Sequence, residues 1–298
     1  MTMLCRSMMA SFSFRIARKG FLSALLIILI GIHPGQVCAW ETIVPGLEEA
    51  SFEIASTSDS PPRIAILRID PALFSFRLIA QKNRFTKVAT LEEWCREKQL
   101  VAAINASMYR EDRQQSTGYM KTRGLVNNGY INPRFGAFFV FDPKDPSLPA
   151  VSIIDRKKDD WRTLITKYDT VIQNFRLISP AGANLWPENA KEHSIAAVGM
   201  DATGNVLFIH CRAPLTVHAF NEALLDLPMD LAGAMYVEGG PEAAMHLNLG
   251  VKRRSWMGQH ENPILGTISE RLWPIPNIIG IESPVTRQKT LETHATGE

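Results

Sequence analysis

Leu231-Ala-Gly-Ala-Met-Tyr-Val-Glu238-Gly-Gly-Pro-Glu242-Ala-Ala-Met-His-Leu-Asn-Leu249 is the stretch on which the reading of this chain turns. An apolar run reaches Val237 and breaks at Glu238, two glycines, a proline and Glu242. Apolar residues return in alternation at Met245, Leu247 and Leu249, with His246 and Asn248 between them. The pattern predicts strand, tight turn, strand. Glycine admits φ > 0 and lets a ligand approach the backbone, and proline does not sit inside a central strand. A carboxylate on each side of such a turn suits acid/base chemistry at a sheet end. The same pattern also fits an ordinary hairpin with two solvated glutamates, because Gly and Pro punctuate turns of every kind.

Strand patterns dominate the rest of the chain. Arg63 to Ile69 is an apolar run closed by Asp70-Pro71, and Phe74, Phe76, Leu78 and Ala80 alternate as a second strand expected to pair with it. Thr90 and Glu93 form a capping box, which predicts a short helix to about Lys98 ahead of a buried strand over Leu100 to Ile104. Asn128-Gly129 has the residue types of a hairpin turn. Phe135 to Phe141, Ala150 to Ile154 and Thr170 to Asn174 read as strands. Ile195 to Met200 and Val206 to Ile209 read as a hairpin about Asp201-Ala-Thr-Gly204. Asp160 and Thr216 are candidate helix caps. Ile278 to Ile281 is the last strand. Strands outnumber helices, and hairpins mix with helical connections. The expected class is α+β, a mixed, mainly antiparallel sheet core with short flanking helices.

The 298 residues are 46% apolar and 21% charged with a net charge of +2, enough for a substantial core and no indication of a nucleic-acid partner. The basic runs Arg156-Lys157-Lys158 and Lys252-Arg253-Arg254 are short and read as solvated loop charges. Arg6, Arg15, Arg18 and Lys19 precede an apolar core over Phe21 to Ile32, and Val37-Cys38-Ala39 fits signal peptidase. That core is too short to span a bilayer as a helix. The expected organisation is a signal peptide over 1–39, an irregular lead-in over 40–62, one domain over 63–282 and a flexible tail over 283–298, with no stable membrane span after cleavage. Periplasmic or secreted residence follows. Cleavage leaves Cys95 and Cys211, two cysteines able to pair in an oxidising compartment, each also in an apolar setting that suits a buried free thiol. The spacings of Cys/His metal sites are absent, so no metal or cofactor is expected. Oligomeric state is not legible.

The order of motifs is more specific than any one of them. A strand runs into Asn105-Ala-Ser-Met-Tyr109. Val171-Ile-Gln-Asn174 precedes Arg176-Leu177, and Ile195-Ala-Ala-Val-Gly-Met-Asp201 precedes Gly204. Then come a capped helix, Tyr236-Val-Glu-Gly-Gly240 and Trp273-Pro-Ile-Pro-Asn-Ile-Ile-Gly280. This ordered set, from about Arg63 to Ile281, resembles the phosphodiester glycosidase domain family. The resemblance implies that family's fold and a sugar or sugar-phosphate substrate. Two motifs depart from the family pattern. Asn105-Ala-Ser-Met-Tyr109 stands where Asn-Gly-Gly-Phe-Phe is usual, and Glu238-Gly-Gly-Pro-Glu242 where Asp-Gly-Gly-Gly-Ser is usual. A family arginine falls near Ile195 and is missing, which removes a bidentate phosphate partner.

Glu238 matches the family acid and is the first catalytic candidate, with Glu242 as a second carboxylate. Asn105, Ser107, Gln173, Arg176, Gly239 and Gly240 are the substrate-binding candidates, and Arg123, Arg134 and Arg176 are candidates to replace the missing arginine. Cleaving a glycosyl phosphodiester calls for carboxylates against an oxocarbenium-like transition state and positive charge for the departing phosphate. The resemblance therefore implies an exported hydrolase acting on a glycosyl phosphodiester or related envelope sugar. The alternative is an envelope carbohydrate-binding or assembly protein that kept the fold without catalysis. The targeting segment carries its own expectation: N-terminal sequencing of the exported protein should begin at Trp40, and a full-length chain held in the membrane fraction would show an uncleaved anchor.

Overall fold

The computed structural model describes residues 40–55, 61–80, 88–250, 252–259 and 271–283. The expected signal segment and the tail beyond 283 lie outside them. In chain order the described residues form β1 (Glu41–Val44), β2 (Leu47–Glu53), β3 (Arg63–Ile69), β4 (Ser75–Ala80), α1 (Leu91–Lys98) and β5 (Ala102–Asn105). Next come β6 (Met120–Thr122), β7 (Leu125–Asn128), β8 (Ala137–Pro143), β9 (Val151–Asp155), α2 (Trp161–Leu164), β10 (Tyr168–Asn174) and β11 (Arg176–Ile178). The remainder is β12 (His193–Asp201), β13 (Val206–Leu215), α3 (Val217–Leu225), β14 (Leu231–Gly239), β15 (Ala244–Leu249), β16 (Lys252–Met257) and β17 (Asn277–Glu282).

The class is the expected α+β with a mainly antiparallel core, and every strand pair among the described residues is antiparallel. The strands divide into three sheets instead of gathering in one. The first runs β1-β2-β3-β13-β12-β14-β11, the second β7-β6-β10-β8-β9 and the third β16-β15-β5-β17-β4. Helix α1 has the capping box read from its sequence, with Thr90 accepting from the Glu93 amide at 3.2 Å and Glu93 accepting from the Thr90 amide at 2.9 Å. Asp160 and Thr216 likewise cap α2 and α3.

Several sequence expectations are corrected. The lead-in is not irregular: β1 and β2 extend the first sheet, with Leu47, Ala50 and Phe52 buried. Its alternation was masked by Glu49, which is buried too and bonds Arg254 Nη1 at 2.6 Å. Lys252-Arg253-Arg254 is accordingly the start of β16 and not a solvated loop. Strand β4 pairs with β17 rather than β3, because the Asp70–Phe74 turn carries the chain from the first sheet to the third. The hairpin turn near Asn128-Gly129 falls instead at Arg123-Gly124, whose φ values of 35° and 83° give the two left-handed residues of a tight two-residue turn. Cys95 and Cys211 are separate, buried free thiols.

One ring ties the sheets together. Phe76 of β4 meets Phe139 and Phe141 of β8 and Phe208 of β13 at centroid separations of 6.2, 6.0 and 6.2 Å. Each partner belongs to a sheet other than its own. Removing this ring opens a cavity where all three layers meet, so Phe76→Ala should cost about 3–5 kcal/mol of stability. A shift in the urea midpoint checks this, and a change under 1 kcal/mol would show that the sheets are joined elsewhere.

Candidate functional site

Strands β14 and β15, the two arms of the opening stretch, do not pair with each other. β14 lies between β12 and β11 in the first sheet, and β15 lies between β5 and β16 in the third. The turn between them, with a short 3₁₀ segment over Gly240–Glu242, hands the chain from one sheet to the other. A β-bulge precedes it. Ala196 and Ala197 are consecutive on β12, yet they face Glu238 and Tyr236, so Val237 is the extra residue. Bulges of this kind re-aim side chains at strand ends.

All three sheets clamp the turn. Asn105 at the end of β5 donates to the Glu242 carbonyl at 2.9 Å and accepts from the Ala244 amide at 2.7 Å. Asn174 at the end of β10 donates to the bulged Val237 carbonyl at 3.3 Å. His210 of β13 meets the Ala243 carbonyl at 3.2 Å. A carbonyl only accepts, so His210 carries its proton on Nε2, and burial pushes its pKa down to about 4, which keeps it neutral. The glycines are required by contact and conformation. A Cβ on Gly239 would sit 1.9 Å from the Tyr236 hydroxyl and 2.5 Å from the His193 ring, and Gly240 has φ +71°.

Glu238 is buried, and its Oε1 accepts from the Gly239 amide at 3.0 Å. Desolvation is the largest effect on it and pushes its pKa up to about 8. The Gly239 hydrogen bond opposes the rise and the nearby Glu242 carboxylate adds to it. Two tyrosines share this field. Tyr109 is raised by burial, then by Glu242 and Glu238, with Arg113 acting against them. Tyr236 is raised by burial and then by Glu238. His193, lowered by burial and by Lys191, meets the Tyr236 hydroxyl through Nε2 at 3.2 Å. The Arg113 guanidinium lies 5.6 Å from the centroid of the Tyr109 ring and lines a cleft of about 410 Å³ with Arg271, Trp273 and Pro274. Among the described residues, no group of three or more His, Cys, Asp or Glu is arranged to hold a metal ion.

The sequence candidates separate into those at the turn and those away from it. Glu238, Glu242, Gly239 and Gly240 form the turn, and Asn105 spends both ends of its amide positioning it. Ser107 is buried, and its hydroxyl bonds Ser116 Oγ at 2.8 Å and the Met108 carbonyl at 3.0 Å. Gln173 is buried as well. It donates to the Asn132 and Phe135 carbonyls at 2.9 and 3.1 Å and accepts from the Tyr119 and Asn132 amides at 3.2 and 2.9 Å. These residues hold loops in place instead of presenting free groups to a ligand. Arg176 pairs with Asp155 at 2.6 Å and is not brought to the turn. Arg123 pairs with Asp142 at 2.8 Å and feels the charge of Glu282, which lies at the opposite end of β17 from Asn277 and the Asn105 clamp. Neither arginine takes the missing position beside Glu238.

The sequence profile of the phosphodiester glycosidase family matches residues 98–282, more than half of the chain, and spans every clamp of the turn. The chain belongs to the phosphodiester glycosidase family. Its fold is similar to the catalytic domain of zebrafish N-acetylglucosamine-1-phosphodiester alpha-N-acetylglucosaminidase, with a TM-score of 0.56 at 15% identity over 82% of this chain and 85% of that one. It is also similar to a hypothetical protein from Synechocystis, with a TM-score of 0.55 at 13% identity over 81% of this chain and 63% of that one. No curated protein sequence gives a significant match. Within this family fold, the residues not among the sequence candidates are Tyr236, Arg113, Tyr109 with its electrostatic role, and His193, which lies near the missing family arginine in the chain. Tyr109 and Tyr236 had a signal, since both lie inside the family motifs. His193 reaches the turn through the β12–β14 register, and Arg113 reaches the Tyr109 ring through a loop, neither of which leaves a pattern in the chain.

A raised carboxyl pKa sets a sign for stability. Between the ordinary carboxyl value of 4.5 and about 8, folded Glu238 keeps a proton that the unfolded chain has lost. Stability from this group is therefore greatest at low pH, falls as pH rises through that window and levels off above it. Glu238→Gln should remove this decline. Urea midpoints at pH 5 and pH 8.5 test it, read as the difference between the two proteins so that His210, which acts in the opposite direction, cancels. Parallel pH profiles would place the Glu238 pKa in the ordinary range.

Proposed function

We propose that this protein is an exported hydrolase that cleaves a glycosyl phosphodiester or a related sugar conjugate of the cell envelope. The observation that carries the reading is one clamped turn bearing two coupled carboxylates, with Glu238 pushed up to about 8 by burial. A carboxyl protonated at neutral pH donates to the phosphate oxygen as its bond to the anomeric carbon breaks. The Glu242 carboxylate offsets the positive charge that develops on the sugar ring. Water completes the transfer, and its proton restores Glu238. Arg113, near Tyr109, supplies positive charge for the departing phosphate in place of the family arginine missing near Ile195.

The binding-only alternative is less favoured by the same turn. Keeping a carboxyl desolvated beside another carboxylate costs stability, and such perturbed groups gather at sites of chemistry. Export rests on the basic segment, the apolar core and Val37-Cys38-Ala39 ahead of Trp40. Among the described residues no helix is long and apolar enough to cross a membrane.

The test is a panel of sugar-1-phosphodiesters offered to the purified chain. At least one should be hydrolysed, with kcat/KM falling above about pH 8 as Glu238 loses its proton. Glu238→Gln should lower kcat by about 10²–10⁴-fold while circular dichroism stays unchanged. Sugar binding without turnover of any substrate would favour the non-catalytic reading.

A further inference from the structure

A second cleft, of about 520 Å³, opens where β8, β9 and β11 meet, and it carries a different chemistry from the turn. Its charged walls are Arg134, Arg156, Lys157 and Arg176, and its apolar walls include Phe175 and Trp186. Among the described residues no carboxylate pairs with Arg134, Arg156 or Lys157. Asp155, which has its amide bonded to Asp159, is the acid that holds Arg176. Arg176 spends one guanidinium nitrogen on Asp155, while its Nε is buried without an acceptor. A Cβ on Gly136, in the wall of the cleft, would lie 3.5 Å from that Nε. Buried donors are almost always paired in a native protein, so this wall lacks an acceptor.

An aromatic strip leads from this cleft to the catalytic turn. Phe135 and Phe175 have centroids 4.5 Å apart, Phe175 and Trp186 5.0 Å, and Trp186 and Tyr236 6.0 Å. The Tyr236 hydroxyl packs against Gly239, next to Glu238. One tyrosine ring thus separates the cationic cleft from the turn. That is too far for the phosphate of the scissile bond, which must sit at Glu238 itself, and suits a group about one sugar ring further along.

We propose that the cleft is a distal subsite for a second phosphate, carried by the leaving group of the substrate, with the intervening ring stacked on Trp186 and Phe175. The proposal rests on the hydrolase reading for the word substrate but not for the binding event. It narrows the substrate class to acidic conjugates with phosphate on both sides of a ring. The three cations without a carboxylate partner, Arg134, Arg156 and Lys157, supply charge-assisted hydrogen bonds to the phosphate, and the aromatic wall adds stacking for the ring.

Phenyl phosphate, a ring bearing one phosphate, is the probe, and calorimetric titration of the full chain is the readout. Binding should weaken at least 10-fold in Arg134→Ala/Lys157→Ala, weaken with added salt, and persist in Glu238→Gln. Both substituted positions are exposed, so folding should hold, as thermal unfolding would check. Equal affinity in the double variant and wild type overturns the subsite, as does loss in Arg113→Ala with retention in the double variant. The two readings fail separately. Cation-dependent binding without hydrolysis of any phosphodiester sinks the hydrolase and keeps the subsite. Hydrolysis with unchanged phenyl phosphate binding in the double variant does the reverse.

Discussion

The Asn105 side-chain amide is the contact on which the site depends. Strands β5 and β15 pair through Ile104 and Met245, and the ladder stops where β15 becomes the turn. There Asn105 continues it with its side chain, one bond to Glu242 and one to Ala244. The turn crosses between two sheets, and these backbone groups lie just past the end of the β5–β15 ladder. A buried backbone group without a partner costs about 1–3 kcal/mol, and the amide removes two such penalties at once. Asn174 and His210 do the same for Val237 and Ala243 from the other two sheets. A crossing between sheets would otherwise be the loosest part of the fold, and these clamps make it rigid.

Rigidity is what allows Glu238 to remain buried. In a mobile turn a desolvated carboxyl would swing into water and titrate normally. Here the Val237 bulge turns it inward, Gly239 leaves no space beside Tyr236 and His193, and among the described residues its carboxyl accepts one hydrogen bond, from the Gly239 amide. That single bond only partly offsets desolvation, and the Glu242 charge adds to the rise. The same field reaches Tyr109 and Tyr236 and adds to the rise that burial gives both phenols.

The net charge of +2 conceals a segregation of sign. Carboxylates gather on the turn between the first and third sheets. Cations gather at the cleft where β8, β9 and β11 meet, and a short aromatic strip joins the two. Arg156 shows how both uses are built from ordinary loop chemistry: Nη1 donates to the Asn132, Pro133 and Phe135 carbonyls, while its ring-facing side stacks over Trp161 at 5.2 Å. Of the short basic run read as solvated loop charge, Arg156 is held in place by the loop it crosses, while Lys157 and Lys158 are exposed as expected.

Local physics was legible in the chain. Thr90, Asp160 and Thr216 announce their helices because a cap bonds to an amide only a few residues away. The Asp201 turn and the strand–turn–strand about Glu238 were legible because side-chain alternation and glycine conformation are properties of short segments. The ordered motifs from Asn105 to Gly280 marked the family. What the tertiary structure alone decided is which strands meet. β14 and β15 look like a hairpin and belong to different sheets, Glu49 looks solvated and is buried against Arg254, and Asn105, Ser107 and Gln173 look like ligand groups and are spent on backbone. His193 reaches Tyr236 through strand register, and Arg113 reaches the Tyr109 ring through a loop path. These are pairings between residues far apart in the chain, and their energies depend on burial and on partners that no local pattern encodes.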